Sequence, residues 1–300
     1  MKKIFTIVLL VFILVLIVFV GYFIFFKKPA YQTLSISVDG MKEIASSNSY
    51  RANTKKINFT ENFEKTLTIE ENWPMRKSGN PDWWVTSGGI MNFENGVGKT
   101  ITDNLLSANP WVDRYFTANA TDTASGTRPQ NIFRLVLKKT AKNFTQSVYY
   151  KITKYDLSQS SNRNSSNGIL LFNRYKDENN LYYTGVRVDG QVVVKKKLAG
   201  LYSTLATKKV IDGQYDIQDN PNLIPLHEWI GVKSDVMTDD SGRVHLKVYT
   251  DIGRTGEWTL QLNALDDGIT FGKTIPDAGY GGIRTDFMDV EFDDYTFISR

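Results

Sequence analysis

Tyr183, Arg187 and Lys195 are the residues whose types and spacing point most directly to chemistry. In Leu181 to Val188 alternate side chains face opposite ways, so Tyr183, Gly185, Arg187 and Asp189 share one face and Tyr182, Thr184, Val186 and Val188 the other. Asp189-Gly190 is a tight-turn signal leading into Gln191 to Lys197, where Val193, Lys195 and Lys197 share a face. A phenol can exchange a proton or present its ring. A guanidinium and an ammonium can hold an anion or donate to hydroxyls, and Gly185 leaves room above the backbone. A packed sheet face has no use for that combination, so a polar ligand or water is expected there.

Other residues could do chemistry alone or in small groups. His227 lies in Ile224-Pro225-Leu226-His227-Glu228-Trp229, a loop entering a strand, where it could act as a base or be a hydrogen-bonded loop residue. His245 alternates with apolar neighbours and is expected to face solvent. Trp73, Trp83, Trp84 and Trp111 cluster near Asn72, Asn80 and Asp82. An indole can stack on the apolar face of a pyranose while amides take its hydroxyls. Asn80-Pro81-Asp82-Trp83-Trp84 is turn-like, so Trp83 or Trp84 is expected to be exposed and to bind a ligand. Trp229 and Trp258 are expected in the core. With no cysteine in 300 residues a disulfide framework is excluded, and with two histidines a zinc site is not expected.

The elements that must position these groups are strands. Phe133 to Lys138, Val244 to Tyr249 and Glu257 to Leu262 each alternate apolar and polar residues. Turn signals such as Asp212-Gly213, Asp240-Ser241-Gly242 and Asp267-Gly268 separate the runs. Beyond residue 26 no helical periodicity is sustained over three turns. The spacing predicts strands over 169–175, 181–188 and 191–197, joined by a turn at 176–180 and the Asp189-Gly190 hairpin. Aromatic residues make up 13% of the chain, which suits two sheets packed face to face. The fold class read from this is all-β, a sandwich of two antiparallel sheets, with one domain over 57–300.

Ile4 to Phe26 carries no charge and is bracketed by Lys2-Lys3 and Lys27-Lys28. As a helix it would be about 34 Å long, enough for a hydrocarbon core of about 30 Å. It ends in Tyr22-Phe23-Ile24-Phe25-Phe26, too bulky for a signal-peptidase site. The expectation is therefore a short cytoplasmic tail (1–3), an uncleaved transmembrane anchor crossing the bilayer (4–26), a polar stalk (27–56), and a main domain exported to the periplasmic or extracellular side. The formal charge of +4 contains no basic block longer than Lys195-Lys196-Lys197, so nucleic acid is not an expected partner.

Three segments resemble a concanavalin A-like lectin/glucanase jelly roll: Phe59 to Glu64 its first strand, Asn167 to Tyr175 with Asn180 to Tyr183 its central pair, and Gly281 to Tyr295 its last strand. The resemblance implies two curved sheets with a sugar groove on the concave one. It also implies, where first and last strands meet, a structural Ca2+ held by Glu64, Asp293 and Asp294, whose hard oxygens suit that ion. The family's hydrolases carry Glu-x-Asp-x-x-Glu; Asp286, Asp289 and Glu291 are the nearest string but are spaced differently. A polysaccharide lyase on this fold needs a base and a cation to offset an enolate. Tyr183 or His227 could serve as base and Arg187, Arg174 or Lys195 as cation, on an acidic, uronate-containing glycan, although the lyase family's own motifs are missing. The expected ligand face is thus Arg174, Tyr183, Arg187 and Lys195, with Trp83 and Trp84, contacting a poly- or oligosaccharide. Carbohydrate binding is expected first, a lyase second, and a surface protein with an empty groove third.

Overall fold

The structure, a computed structural model, describes residues 56–300. The anchor over 4–26 and the stalk up to residue 55 lie outside the described residues. Among the described residues no helix is long and apolar enough to cross a membrane.

In chain order the elements are β1 (Asn58–Glu61), β2 (Leu67–Glu70), β3 (Trp83–Ser87), β4 (Ile90–Glu94), β5 (Val97–Thr100), α1 (Pro110–Asn119), β6 (Ile132–Ala141), β7 (Phe144–Tyr155) and β8 (Gly168–Asp177). There follow β9 (Asn180–Arg187), β10 (Gln191–Leu198), β11 (Leu201–Lys209), β12 (Trp229–Thr238), β13 (Val244–Ile252), β14 (Thr259–Asp266), β15 (Gly279–Asp286) and β16 (Met288–Ser299). They form two antiparallel sheets. The nine-stranded sheet runs β14-β13-β12-β7-β16-β5-β4-β2, with β1 also on β16; the seven-stranded sheet runs β11-β10-β9-β8-β15-β6-β3. The protein is therefore all-β, a two-sheet sandwich. The β8–β9–β10 meander lies within two residues of the predicted boundaries.

Alternation along each strand builds the core. Phe133, Leu135, Leu137, Ile169, Leu171 and Ile283 of the seven-stranded sheet face Val148, Tyr150, Ile152, Val232, Val290 and Phe292 of the other, all buried. Phe133 stacks on Phe292 with ring centroids 5.6 Å apart. Each such side chain contributes about 1.5–3 kcal/mol on leaving water. Polar groups inside are satisfied in a network: the Gln146 amide donates to Asn173 Oδ1 (3.0 Å) and its oxygen accepts from Tyr295 (2.8 Å) and Gly282 N (3.2 Å). Ser234 closes it by donating to Asn173 Oδ1 at 2.8 Å.

Two expectations about elements are corrected. Helix α1 exists where no helical periodicity was expected. It starts at Asn109, whose side chain accepts from Trp111 N, with Pro110 in the first turn, and it buries only Val112 and Tyr115. Two inward residues are too few to print a period. Trp229 and Trp258 are not core: they are half-buried on the outer face of the nine-stranded sheet, where Lys151 and Arg254 sit over Trp229 (4.7 and 5.1 Å) and Lys233 over Trp258 (4.4 Å).

Candidate functional site

The outer face of the seven-stranded sheet carries a cavity of about 450 Å³, open to solvent. Its floor is built by alternation in five adjacent strands: Arg134 of β6, Arg284 and Asp286 of β15, Leu170 of β8, Tyr183 of β9 and Lys195 of β10. Tyr202 and Thr204 of β11 close one side. The rim opposite is the loop over 156–167, contributing Asn162, Asn164, Ser166 and Asn167. Asp122 ties that rim down, accepting from Ser160 Oγ (2.5 Å) and from the Asn162 and Asn119 amides (3.0 and 2.8 Å).

Aromatic and cationic groups interleave on the floor. The Tyr183 and Tyr202 rings stack with centroids 6.0 Å apart, and the Arg284 guanidinium lies 5.1 Å from the Tyr183 ring. Arg284 Nε donates to both Asp286 oxygens at 2.8 and 3.1 Å. Lys195 Nζ is 3.5 Å from the Ser166 carbonyl, the long limit of a hydrogen bond, which leaves its other donors available. Burial first, then the Arg187 and Arg284 charges, bring Lys195 down to about 8. Burial pushes Tyr183 up to about 12, against the pull of Arg284. Burial also pushes on Tyr202, but the Arg284 charge and hydrogen bond outweigh it and hold that phenol below its ordinary value.

The structure sorts the sequence candidates. Tyr183 and Lys195 line the cavity. Arg187 lies on the same face beside it but is engaged, donating to Asp189 Oδ2 (2.6 Å) and the Ser165 carbonyl (2.9 Å). Arg174 is corrected as a ligand contact. A bulge with φ of 53° at Arg174 breaks the alternation and turns its side chain into the protein, where it donates to the Ile275 carbonyl at 2.8 Å. Burial brings its guanidinium down to about 10. Trp83 and Trp84 are likewise corrected. Trp83 is fully buried in the core and Trp84 is 4% exposed, with its indole N–H on the Asn72 carbonyl at 2.6 Å. The exposed indole is Trp73, 72% accessible, in the segment between β2 and β3. His227 is exposed in the loop before β12, its backbone N–H donating to the Ile152 carbonyl at 2.8 Å, and is not among the cavity-lining residues.

The carboxylate expectations also change. Strand β1 does pair with β16, the last strand, but Glu64, Asp293 and Asp294 do not assemble a metal site. Asp293 and Asp294 both accept from Arg254 at 2.6 Å, and among the described residues no group of three or more His, Cys, Asp or Glu side chains is arranged to hold an ion. Arg254 supplies the positive charge that the resemblance assigns to Ca2+. The Asp286–Asp289–Glu291 string is dispersed. Asp286 is in the cavity with Arg284, Asp289 is buried on Arg128 (2.5 Å), and Glu291 pairs with Lys151 (2.6 Å).

Comparison with known proteins finds distant likenesses. No family model matches the chain, and no curated protein matches it. Among solved structures, it is similar to the carbohydrate-binding module CBM66 from Bacillus subtilis (18% identity over 57% of this chain and 84% of that one, TM-score 0.40). It is similar to the GH43 BlXynB protein from Bacillus licheniformis (11% identity, 80% of this chain, TM-score 0.40), of which it spans 39%. A third likeness is to the VIP36 exoplasmic/lumenal domain in its Ca2+-bound form (10% identity, 78% of this chain and 90% of that one, TM-score 0.40). At these scores nothing about the groove's ligand follows from them.

Sequence reasoning missed Arg134, Arg284, Tyr202 and the Asn162–Asn167 rim, and singled out Asp286 only as part of a hydrolase-like string. A signal existed for the first two: each is a charge set between uncharged neighbours that are buried, in Phe133-Arg134-Leu135 and Ile283-Arg284-Thr285. That pattern marks an outward position in a central strand. It does not say that the two arginines are neighbours.

Proposed function

We propose that the chain is a carbohydrate-binding jelly roll of the concanavalin A-like kind, displayed at a membrane surface, whose outer-face cavity takes an oligosaccharide. The observation that carries this is the lining itself: the exposed Tyr202 ring, backed by the buried Tyr183 ring on which it stacks, beside amide and ammonium donors in an open groove. Sugars present just such a demand, an apolar ring face ringed by hydroxyls. The rim is fixed through Asp122, so little ordering is needed on binding. The Ile4–Phe26 segment would anchor the chain, with residues 27–56 as a spacer, the N-terminus cytoplasmic and 57–300 on the outside.

A lyase draws less support. Tyr183, pushed up to about 12, stays protonated at neutral pH and serves as a donor, not a ready base. A hydrolase draws less still. Burial raises Asp122, but the Ser160, Asn119 and Asn162 donors outweigh it and hold it below the usual carboxylate range, so it is no general acid.

The test is calorimetric titration of the full-length chain in detergent with a panel of neutral and acidic oligosaccharides. At least one class is expected to bind, and Tyr202→Ala to weaken it by about tenfold, the loss of one good stacking contact of about 1–1.5 kcal/mol. Absence of binding across the whole panel, or full affinity in Tyr202→Ala, overturns the proposal. Release of unsaturated sugar products during the titration would instead identify a lyase.

A further inference from the structure

Arg134 and Arg284 are direct cross-strand partners in the β6–β15 register, and both line the cavity floor. Like charges placed opposite one another on a sheet repel. Arg284 is compensated two residues along its own strand by Asp286, at 2.8 Å. Arg134 has no such partner: among the described residues its side chain makes neither an ion pair nor a hydrogen bond. Asp122 feels its charge, but the oxygens of Asp122 are already engaged by Ser160, Asn119 and Asn162. Lys195, across the floor, also has donors to spare. The lining therefore holds three cations, Arg134, Lys195 and Arg284, against two carboxylates, Asp122 and Asp286. Both carboxylates are in use, while Arg134 is not and Lys195 is engaged only by the long contact to the Ser166 carbonyl.

From this we infer that the cavity selects anionic glycans, seating a sugar carboxylate or sulfate ester on the Arg134 guanidinium, with Lys195 as the second donor. A guanidinium is the donor best matched to such a group, because its fork meets two oxygens at once. A half-buried guanidinium with a phenol-lined wall beside it loses less to water competition than one on an open surface. An uncompensated arginine facing another arginine has a cost in the free protein. The anion removes that cost on binding, and this makes Arg134 a binding group and not a structural one. The inference rests on the groove being a carbohydrate site, and it names the class of carbohydrate.

Two matched pairs of probes test it by calorimetry on the full-length chain: oligogalacturonate against its methyl ester, and a sulfated galactan oligosaccharide against its desulfated form. We expect an acidic member to bind at least about tenfold more tightly than its neutral counterpart, the pair that shows this naming the group. Arg134→Gln should erase the difference, and Arg134→Lys should restore part of it. A thermal melt separates binding from structural roles: Arg134→Gln should raise Tm or leave it unchanged, since a repulsion is removed. Equal binding of acidic and neutral members, or a preference that survives Arg134→Gln, overturns the anion assignment and leaves the carbohydrate proposal standing. Absence of binding by all four probes and by neutral oligosaccharides overturns both. A fall in Tm in Arg134→Gln with the acid preference unchanged makes the arginine structural and also overturns it.

Discussion

Lys195 gives the groove a pH dependence whose sign can be worked out. Its ammonium is held near 8, against about 10.4 for a free lysine, because burial and the neighbouring guanidiniums disfavour the charged form. Below pH 8 the group is charged and available to an anionic sugar; above pH 8 it is neutral. Affinity for an acidic oligosaccharide should therefore fall as pH rises through 8, and Lys195→Met should flatten that step. Stability runs the other way. The charged lysine is penalised in the folded state below pH 8, and the unfolded chain binds more protons between about 8 and 10.4, so stability from this group rises across that window. Lys195→Met should thus raise Tm at pH 7, and the gain should vanish near pH 10; a loss of Tm at pH 7 would contradict the assignment. Tyr183 and Lys195 were legible in the sequence because alternation within one meander fixes which way each points. Arg134 and Arg284 were legible only as outward charges, since β6 and β15 meet through a pairing 150 residues apart along the chain.

At the scale of elements, bulges decide which side chains reach the site. Between Asn173 and Asp177 the β8–β9 register shifts, and Phe172 and Tyr175 end up stacked on the outer face, ring centroids 5.4 Å apart, while Arg174 goes inward. Strict alternation read from the sequence placed Arg174 outward, and no local residue type announced the extra residue. The turn signals Asp189-Gly190 and Asp267-Gly268 were legible because their backbones need positive φ, which both glycines adopt. Gly281 has a different task. A Cβ there would lie 2.6 Å from Gln146 Oε1 and 3.0 Å from Phe297, in the network that joins the sheets. Gly281→Ala should cost about 1–3 kcal/mol in a urea titration, by crowding a pinned amide. The loop after β14 is tied by a buried pair, Lys196 Nζ to Asp266 Oδ2 at 2.7 Å, with Tyr182 donating to the same oxygen at 2.6 Å. Lys196→Met strands a buried carboxylate and should cost about 3–5 kcal/mol, much of it recovered by also changing Asp266→Leu. Additive losses in the double variant would show that the pair is not coupled.

For the whole molecule, the two-sheet sandwich was legible from period-two alternation, turn spacing and aromatic content, whereas the location of the groove was not. Alternation says that each strand has two faces; the strand order 11-10-9-8-15-6-3 says which outward residues become neighbours. The same limit explains the metal expectation, since Arg254, which engages Asp293 and Asp294, comes from the β13–β14 connection. Adding EDTA should leave Tm unchanged, and a clear fall would show an ion bound where Arg254 is assigned. The most direct test of the molecule's central property is hydrogen–deuterium exchange of the full chain with and without a saturating acidic oligosaccharide. Protection should appear in 132–135, 162–167, 183–204 and 283–287, the segments that line the outer face of the seven-stranded sheet. Protection confined to the nine-stranded sheet or to the Trp73 loop would contradict it.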